Sequence, residues 1–243
     1  MKILSLLRAL IFQILFWLWG AVCALAMMVC QVFGFGVLVT LKRFWLRTSM
    51  LLARAILGVK FSIKGQDKMP QGAVIIAMKH QSIWDALIPG LIFDNPGYVL
   101  KEELLKIPLF GALLKKWPII ALQRSASTKA LRYMMEKTQA LLASRQPQLV
   151  IFPEGTRRLP GAEPDYKRGI LSIYEASGVP IVPVALNSGL FWGRGFLDFR
   201  PGTIELEILP PIEAGLPKAQ AFDLMVEAIE TRSQALSAPY LTG

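Results

Sequence analysis

The sequence predicts an α/β fold, a mixed and largely parallel sheet flanked by helices, preceded by an N-terminal membrane-anchoring helical hairpin. Three observations carry this. Residues 9–41 run for 33 positions without a charge. Beyond Gln66, apolar runs alternate with helical patterns, the order that builds largely parallel sheets. The charge is lopsided: the first acidic residue is Asp67, and eight Lys/Arg precede it, so +8 of the formal +10 lies within the first 64 of 243 residues.

The uncharged segment comes first. As one straight helix it would be roughly 50 Å long against about 30 Å of bilayer hydrocarbon. Gly20 and the pair Gly34/Gly36 offer breaks. A re-entrant hairpin or paired half-helices fit better than a single span. A cleaved signal peptide fits Lys2, Arg8 and a small-residue site at residues 24–26, but cleavage there would leave fifteen more uncharged residues before Lys42. The segment reads as a retained anchor. Residues 42–60 mix Arg and Lys with Phe44, Trp45, Leu51, Leu52 and Ile56, as a basic interfacial helix would. Basic residues flanking an apolar segment suit anionic lipid headgroups rather than nucleic acid, whose binders carry the patch on the folded domain. The expected division is an anchor with its interfacial helix over 1–60 and the α/β domain over 61–243.

Within the domain, residues 73–78 read as a buried strand and 82–93 as a helix. Residues 97–100 read as a strand, followed by a short helix around 102–105 and a strand at 118–122. Residues 127–143 form an amphipathic helix through Leu131, Met134, Met135, Leu141 and Leu142. A strand at 148–152 enters a Gly/Pro-rich loop over 155–164. Strands follow at 180–186 and 203–209, and a last helix at 218–236 aligns Phe222, Met225, Val226 and Ile229.

The chemistry rests on few residues. His80 is the only histidine, and both cysteines, Cys23 and Cys30, lie in the apolar segment. A conventional zinc site has no ligand set here, so no metal is expected. His80 falls between a strand and a helix, where α/β sheets gather their sites. Asp85 follows five positions on. On a regular helix the two would lie about 140° apart. If His80 precedes the helix, Asp85 can point back at the imidazole, fix its tautomer and leave the other nitrogen as a general base. Ser82 invites a serine-hydrolase reading, but no GxSxG elbow exists in the chain. A His–Asp pair without its own nucleophile makes sense if the substrate supplies the hydroxyl. The second element is FPEGTRR, residues 152–158. Gly155 permits a tight turn, and Thr156 and Arg157 can offer donors to a phosphate. Glu154, beside two arginines, can align one of them, bind a glycerol hydroxyl, or form an ordinary surface pair.

Together HQSIWD (80–85) and FPEGTR (152–157) resemble the glycerolipid acyltransferase family, whose best-known members acylate lysophosphatidic acid. The resemblance covers roughly residues 60–210. It implies that His80 is the base, that Asp85 orients it, and that Glu154, Gly155, Thr156 and Arg157 bind the glycerol-phosphate acceptor. KEELLKIPLFGALL followed by PIIALQR resembles a further block, implying a phosphate-binding Arg124 with Lys101 upstream; VPIVPVAL resembles another, with Pro183. The implied activity is 1-acyl-sn-glycerol-3-phosphate acylation, with acyl-CoA or acyl-carrier protein as co-substrate and no bound cofactor. Anionic membrane lipids and lysophosphatidic acid are the implied partners. The implied location is the cytoplasmic membrane with the catalytic domain facing the cytoplasm. Other acceptors, such as glycerol 3-phosphate or a lyso-ornithine lipid, and a lipid-binding protein without turnover are the alternatives.

Overall fold

The computed structural model describes residues 2–122, 128–143 and 147–241. The uncharged segment folds as a hairpin. Helix α1 (Lys2–Cys30) runs unbroken for 29 residues. A 3-10 turn at Gln31–Phe33 and Gly34 reverse the chain into α2 (Phe35–Leu52). The expected break at Gly20 does not occur. There the indole nitrogen of Trp45 lies 3.5 Å from where a Cβ would stand, so this glycine lets the two arms cross closely. Trp19 Nε1 donates to Thr48 Oγ1 at 2.7 Å and ties the arms together.

The basic stretch also ends sooner than expected. Helix α2 widens into a π-turn over Ala53–Leu57 and stops at Gly58, whose φ of 72° suits glycine. The chain then enters an edge strand, β1 (Val59–Lys64). Leu46, Met50, Ala53 and Leu57 are buried, so this helix is docked on the domain as well as basic.

The apolar runs become β2 (Val74–Met78), β3 (Gly97–Lys101), β4 (Ile119–Leu122), β5 (Gln148–Ile151), β6 (Ile181–Leu186) and β7 (Gly202–Ile208). The sheet order is β1-β7-β6-β2-β5-β3-β4. All pairings are parallel except β6 with β7, so β1 and β7 oppose the rest. The central strands β2, β5 and β6 are buried on both faces, which explains why they read as continuous apolar runs. The helix expected over 82–93 is two short ones, α3 (Trp84–Leu87) and α4 (Pro89–Ile92), because Pro89 starts a new helix. The remaining α-helices among the described residues are α5 (Phe110–Leu114), α6 (Thr128–Leu142), α7 (Gly169–Ser177) and α8 (Lys218–Leu241), and the short helix expected around 102–105 is a 3-10 helix over Glu102–Lys106.

Two apolar layers enclose the sheet. On one face Phe12 and Phe16 of α1, Met50 of α2, and Trp84 and Ile88 pack with Ile76 and Met78 of β2. On the other, α6, α7 and α8 cover Ile75, Ala77, Leu149 and Ile181. The hairpin is thus part of the domain's core. Phe12 meets Trp192 and Phe199 edge-on at 5.3 and 5.4 Å, and Gln13 donates to the Phe196 carbonyl. Near the turn of the hairpin, Met27 and Leu38 cluster with Leu113 of α5.

Candidate active site

Strands β2 and β5 are neighbours in register, Ala77 opposite Ile151. Beyond their C-terminal ends the chains diverge: β2 leads to α3 on one face, β5 to α7 on the other. Such a switch point opens a crevice at the strand ends. His80 stands there, two residues past β2, opposite the FPEGTR loop. Its ring stacks on Phe152, centroids 4.2 Å apart.

The turn between β2 and α3 is built around Asp85. Its Oδ2 accepts the N–H groups of Gln81 at 2.6 Å and Ser82 at 2.7 Å and meets His80 Nδ1 at 3.2 Å. Because residues 80–83 precede the helix, the carboxylate in its first turn points back at the imidazole. Two backbone donors lock this fully buried carboxylate in place. A carboxylate on Nδ1 selects the tautomer with the proton there, leaving the Nε2 lone pair for base chemistry. Ser82 is buried, and its Oγ accepts the Trp84 N–H at 3.1 Å. Gln81 accepts the Gly189 N–H at 3.0 Å and ties the turn to the loop after β6.

The FPEGTR loop divides its roles. Gly155, at φ 65°, turns the chain and donates to the Phe152 carbonyl at 2.9 Å. Gly155 and Thr156 are exposed, and Arg157 is half-buried. Among the described residues Arg157 has no hydrogen-bond or ion-pair partner. Arg158 is structural: its N–H donates to the His80 carbonyl at 2.8 Å, and its guanidinium bonds the Glu163 carbonyl at 2.9 Å. Glu154 corrects the sequence expectation. Among the described residues it aligns no arginine: it is fully buried and turned inward, where Oε2 accepts the His80 N–H at 2.8 Å.

Of the remaining candidates, Lys101 ends β3 and is exposed, one strand beyond β5. Arg124 lies outside the described residues. Pro183 is buried in β6, in register with Ala77, its carbonyl accepting the Leu209 N–H at 2.9 Å. It offers packing inside the sheet and no exposed surface to a ligand.

Sequence reasoning missed a charged cluster beneath His80. Lys79 is buried, with Nζ 3.1 Å from Glu154 Oε1 and bonded to Glu230 of α8. Tyr166 donates its hydroxyl to Glu230 at 2.7 Å and lies under the Lys79 ammonium at 5.5 Å. Burial pushes the Glu154 carboxyl above its ordinary range, while Lys79 and the His80 N–H pull it back. Burial, with the Glu154 and Glu230 charges added, holds the Tyr166 phenol far above its usual value. A lysine directly after a buried strand was the one sequence signal for this cluster.

A His–Asp pair on the strand ends of an α/β sheet, facing an arginine-bearing turn, has the chemistry to activate a substrate hydroxyl beside an anion. Residues 60–187 match the family model described as Acyltransferase. The chain belongs to the acyltransferase family. It is 32% identical over 170 residues to the 1-acyl-sn-glycerol-3-phosphate acyltransferase of Pseudomonas aeruginosa, covering 70% of this chain and 66% of that protein. It is 31% identical over 176 residues to the enzyme of the same name from Cocos nucifera, covering 72% and 56%. These alignments span less than two thirds of the relatives' length. The crystal structure of the 1-acyl-sn-glycerophosphate (LPA) acyltransferase PlsC from Thermotoga maritima superposes with a TM-score of 0.79 at 21% identity, over 96% of this chain and 98% of that one. The whole fold, hairpin included, is therefore shared with it.

Proposed function

We propose that the chain is a 1-acyl-sn-glycerol-3-phosphate acyltransferase that makes phosphatidic acid from lysophosphatidic acid and an acyl thioester, acyl-CoA or acyl-carrier protein. The observation that carries this is the orientation of His80, whose Nδ1 is held by Asp85 while Nε2 has no hydrogen-bond partner among the described residues. Nε2 takes the proton of the acceptor hydroxyl as its oxygen attacks the thioester carbonyl. The tetrahedral intermediate collapses with loss of thiolate, and the imidazolium returns the proton to sulfur. A C–O bond replaces a C–S bond, and no metal or bound cofactor enters. In this reading Arg157, with Thr156 and Gly155 exposed beside it, receives the acceptor phosphate. The names of the relatives from Pseudomonas aeruginosa and Cocos nucifera support the same acceptor.

The setting we propose is the cytoplasmic membrane, with the domain on the cytoplasmic side where acyl thioesters are made. Residues Ile3–Phe33 are long and apolar enough to cross a bilayer. The packing favours a different placement. From Ala9 to Met27, about 27 Å of helix at 1.5 Å per residue, one stripe of α1 stays buried within the protein. A helix fastened along its length cannot cross while the domain remains outside, so the hairpin lies in one leaflet. Its outward side is apolar, with Leu18, Val29 and Phe33 exposed. Beside it, Leu104, Ile107, Leu109 and Phe110 are exposed and flanked by Lys106, Lys115 and Lys116, a pattern that suits anionic headgroups. The deciding experiment is acyl transfer by purified protein to a panel of lysophosphatidic acid, glycerol 3-phosphate and a zwitterionic lysolipid. Transfer to lysophosphatidic acid above the others is expected; no transfer to any would leave only a lipid-binding protein.

A further inference from the structure

We propose that Lys79 is a positioning residue for the base, linking the C-terminal helix α8 to the His80 backbone through Glu154. The proposal rests on the acyl-transfer reading of the His80–Asp85 pair. Asp85 sets the imidazole ring, but the backbone that carries it is held from the other side by Glu154, through the 2.8 Å bond to the His80 N–H. Glu154 has no exposed surface, so burial favours its neutral form. A protonated carboxyl has one acceptor oxygen fewer, and its proton must find a partner of its own. Lys79, 3.1 Å from Oε1, is the nearest source of compensation.

Lys79 is held in its turn. Its ammonium bonds Glu230, which also accepts the Tyr166 hydroxyl at 2.7 Å. The cluster draws on four segments: the end of β2, the loop after β5, the segment before α7, and α8. Helix α8 packs over β6 through Met225 and Ile229, on the face away from α3. A displacement of α8 therefore reaches His80 by way of Glu230, Lys79 and Glu154. None of these side chains carries out the chemistry.

A purely structural role makes a different forecast. Buried ion pairs can often be replaced by apolar side chains of similar volume without loss of stability. Lys79→Met alone would strand the buried Glu154 and the partly buried Glu230 carboxylates, so the informative variant is Lys79→Met/Glu230→Met, which removes one charge of each sign. We expect this protein to fold, its kcat to fall by about tenfold or more, and both KM values to stay within about twofold. His80 gives a second readout, because it is the only histidine. With isotope-labelled histidine its imidazole signals need no assignment, and in the paired variant they should shift or broaden. Should the paired variant not fold, Glu230→Leu leaves Lys79 and Glu154 as a neutral pair and should show the same defect, with Glu230→Gln restoring it. Parental kcat and unchanged imidazole signals in a folded variant would overturn the proposal. Parent protein that transfers no acyl group, while the imidazole signals still respond, would instead defeat the proposed function and leave the linkage standing.

Discussion

A histidine serves as a base only if its lone pair stands at a fixed place, and here one carboxylate oxygen does the fixing. Asp85→Asn keeps an acceptor, yet the amide can turn its NH2 toward Nδ1 and favour the tautomer that is protonated at Nε2. Steady-state kinetics should show kcat lowered by about 10⁴-fold, as in a comparable His–Asp pair elsewhere, with the acceptor KM little changed. A loss below tenfold would remove Asp85 from the mechanism. Arg157 supports a complementary test. If it grips the acceptor phosphate in a forked geometry, Arg157→Lys should cost about 1.5–3 kcal/mol, or roughly ten- to a hundredfold in acceptor kcat/KM. The thioester KM should hold steady, and a defect confined to the thioester would place this loop at the donor. Glu154→Gln now belongs with His80 rather than with Arg157. Its defect should fall on kcat, because the carboxylate bonds the His80 backbone and reaches no arginine among the described residues. The His–Asp pair and the turn at Gly155 were legible in the sequence because each is local. The inward turn of Glu154 and the partnership of Lys79 with Glu230 were not, since those contacts join positions 74 and 151 residues apart.

At the scale of elements, the hairpin matters most. Phe12 is completely buried between Trp192 and Phe199 on the domain side. Phe12→Ala should therefore destabilise the protein by about 3–5 kcal/mol, measured by denaturant unfolding in detergent. An anchor that merely tethered the domain would show a change below about 0.5 kcal/mol, as an uninvolved surface site does. Removing residues 1–41 should lower stability as well as membrane retention, because it uncovers this aromatic cluster. The strands of the parallel core were readable from their unbroken apolar runs. The edge strand β1 was not: it pairs with β7 alone, carries Lys60 and Lys64, and follows a helix without a polar linker. Helix α7 was also missed. Its buried Ile170, Leu171, Ile173 and Tyr174 make too short a pattern after a Gly/Pro-rich loop to declare a period.

For the whole molecule, the arrangement of charge and apolar surface bears on the proposed placement at the membrane. The hairpin and the 104–110 segment meet at α5, where Leu113 packs with Met27 and Leu38, and both carry exposed apolar side chains. Leu109 sits at φ 60° in a tight turn closed by the Phe110 N–H on the Pro108 carbonyl at 2.6 Å. A leucine is rarely held in this conformation, and such strain persists where the surroundings impose it. Here it leaves Leu109 and Phe110 at the surface. If this segment enters the leaflet beside the hairpin, a polarity-sensitive fluorophore at Phe110→Cys should shift to the blue on anionic vesicles and be quenched by lipids carrying a quencher in the acyl chain. Cys23 and Cys30 would be replaced by alanine beforehand. The same probe at Asp223→Cys, on the exposed side of α8 across the sheet, should stay aqueous. A third probe at Phe33→Cys reports on the turn of the hairpin. Should Phe33 report lipid and Phe110 report water, the hairpin alone holds the protein and the lysines at 106, 115 and 116 act only at a distance. That attraction fades beyond about 10 Å in 0.1 M salt. Insertion of Phe110 should instead persist in high salt, because it depends on apolar burial rather than on charge.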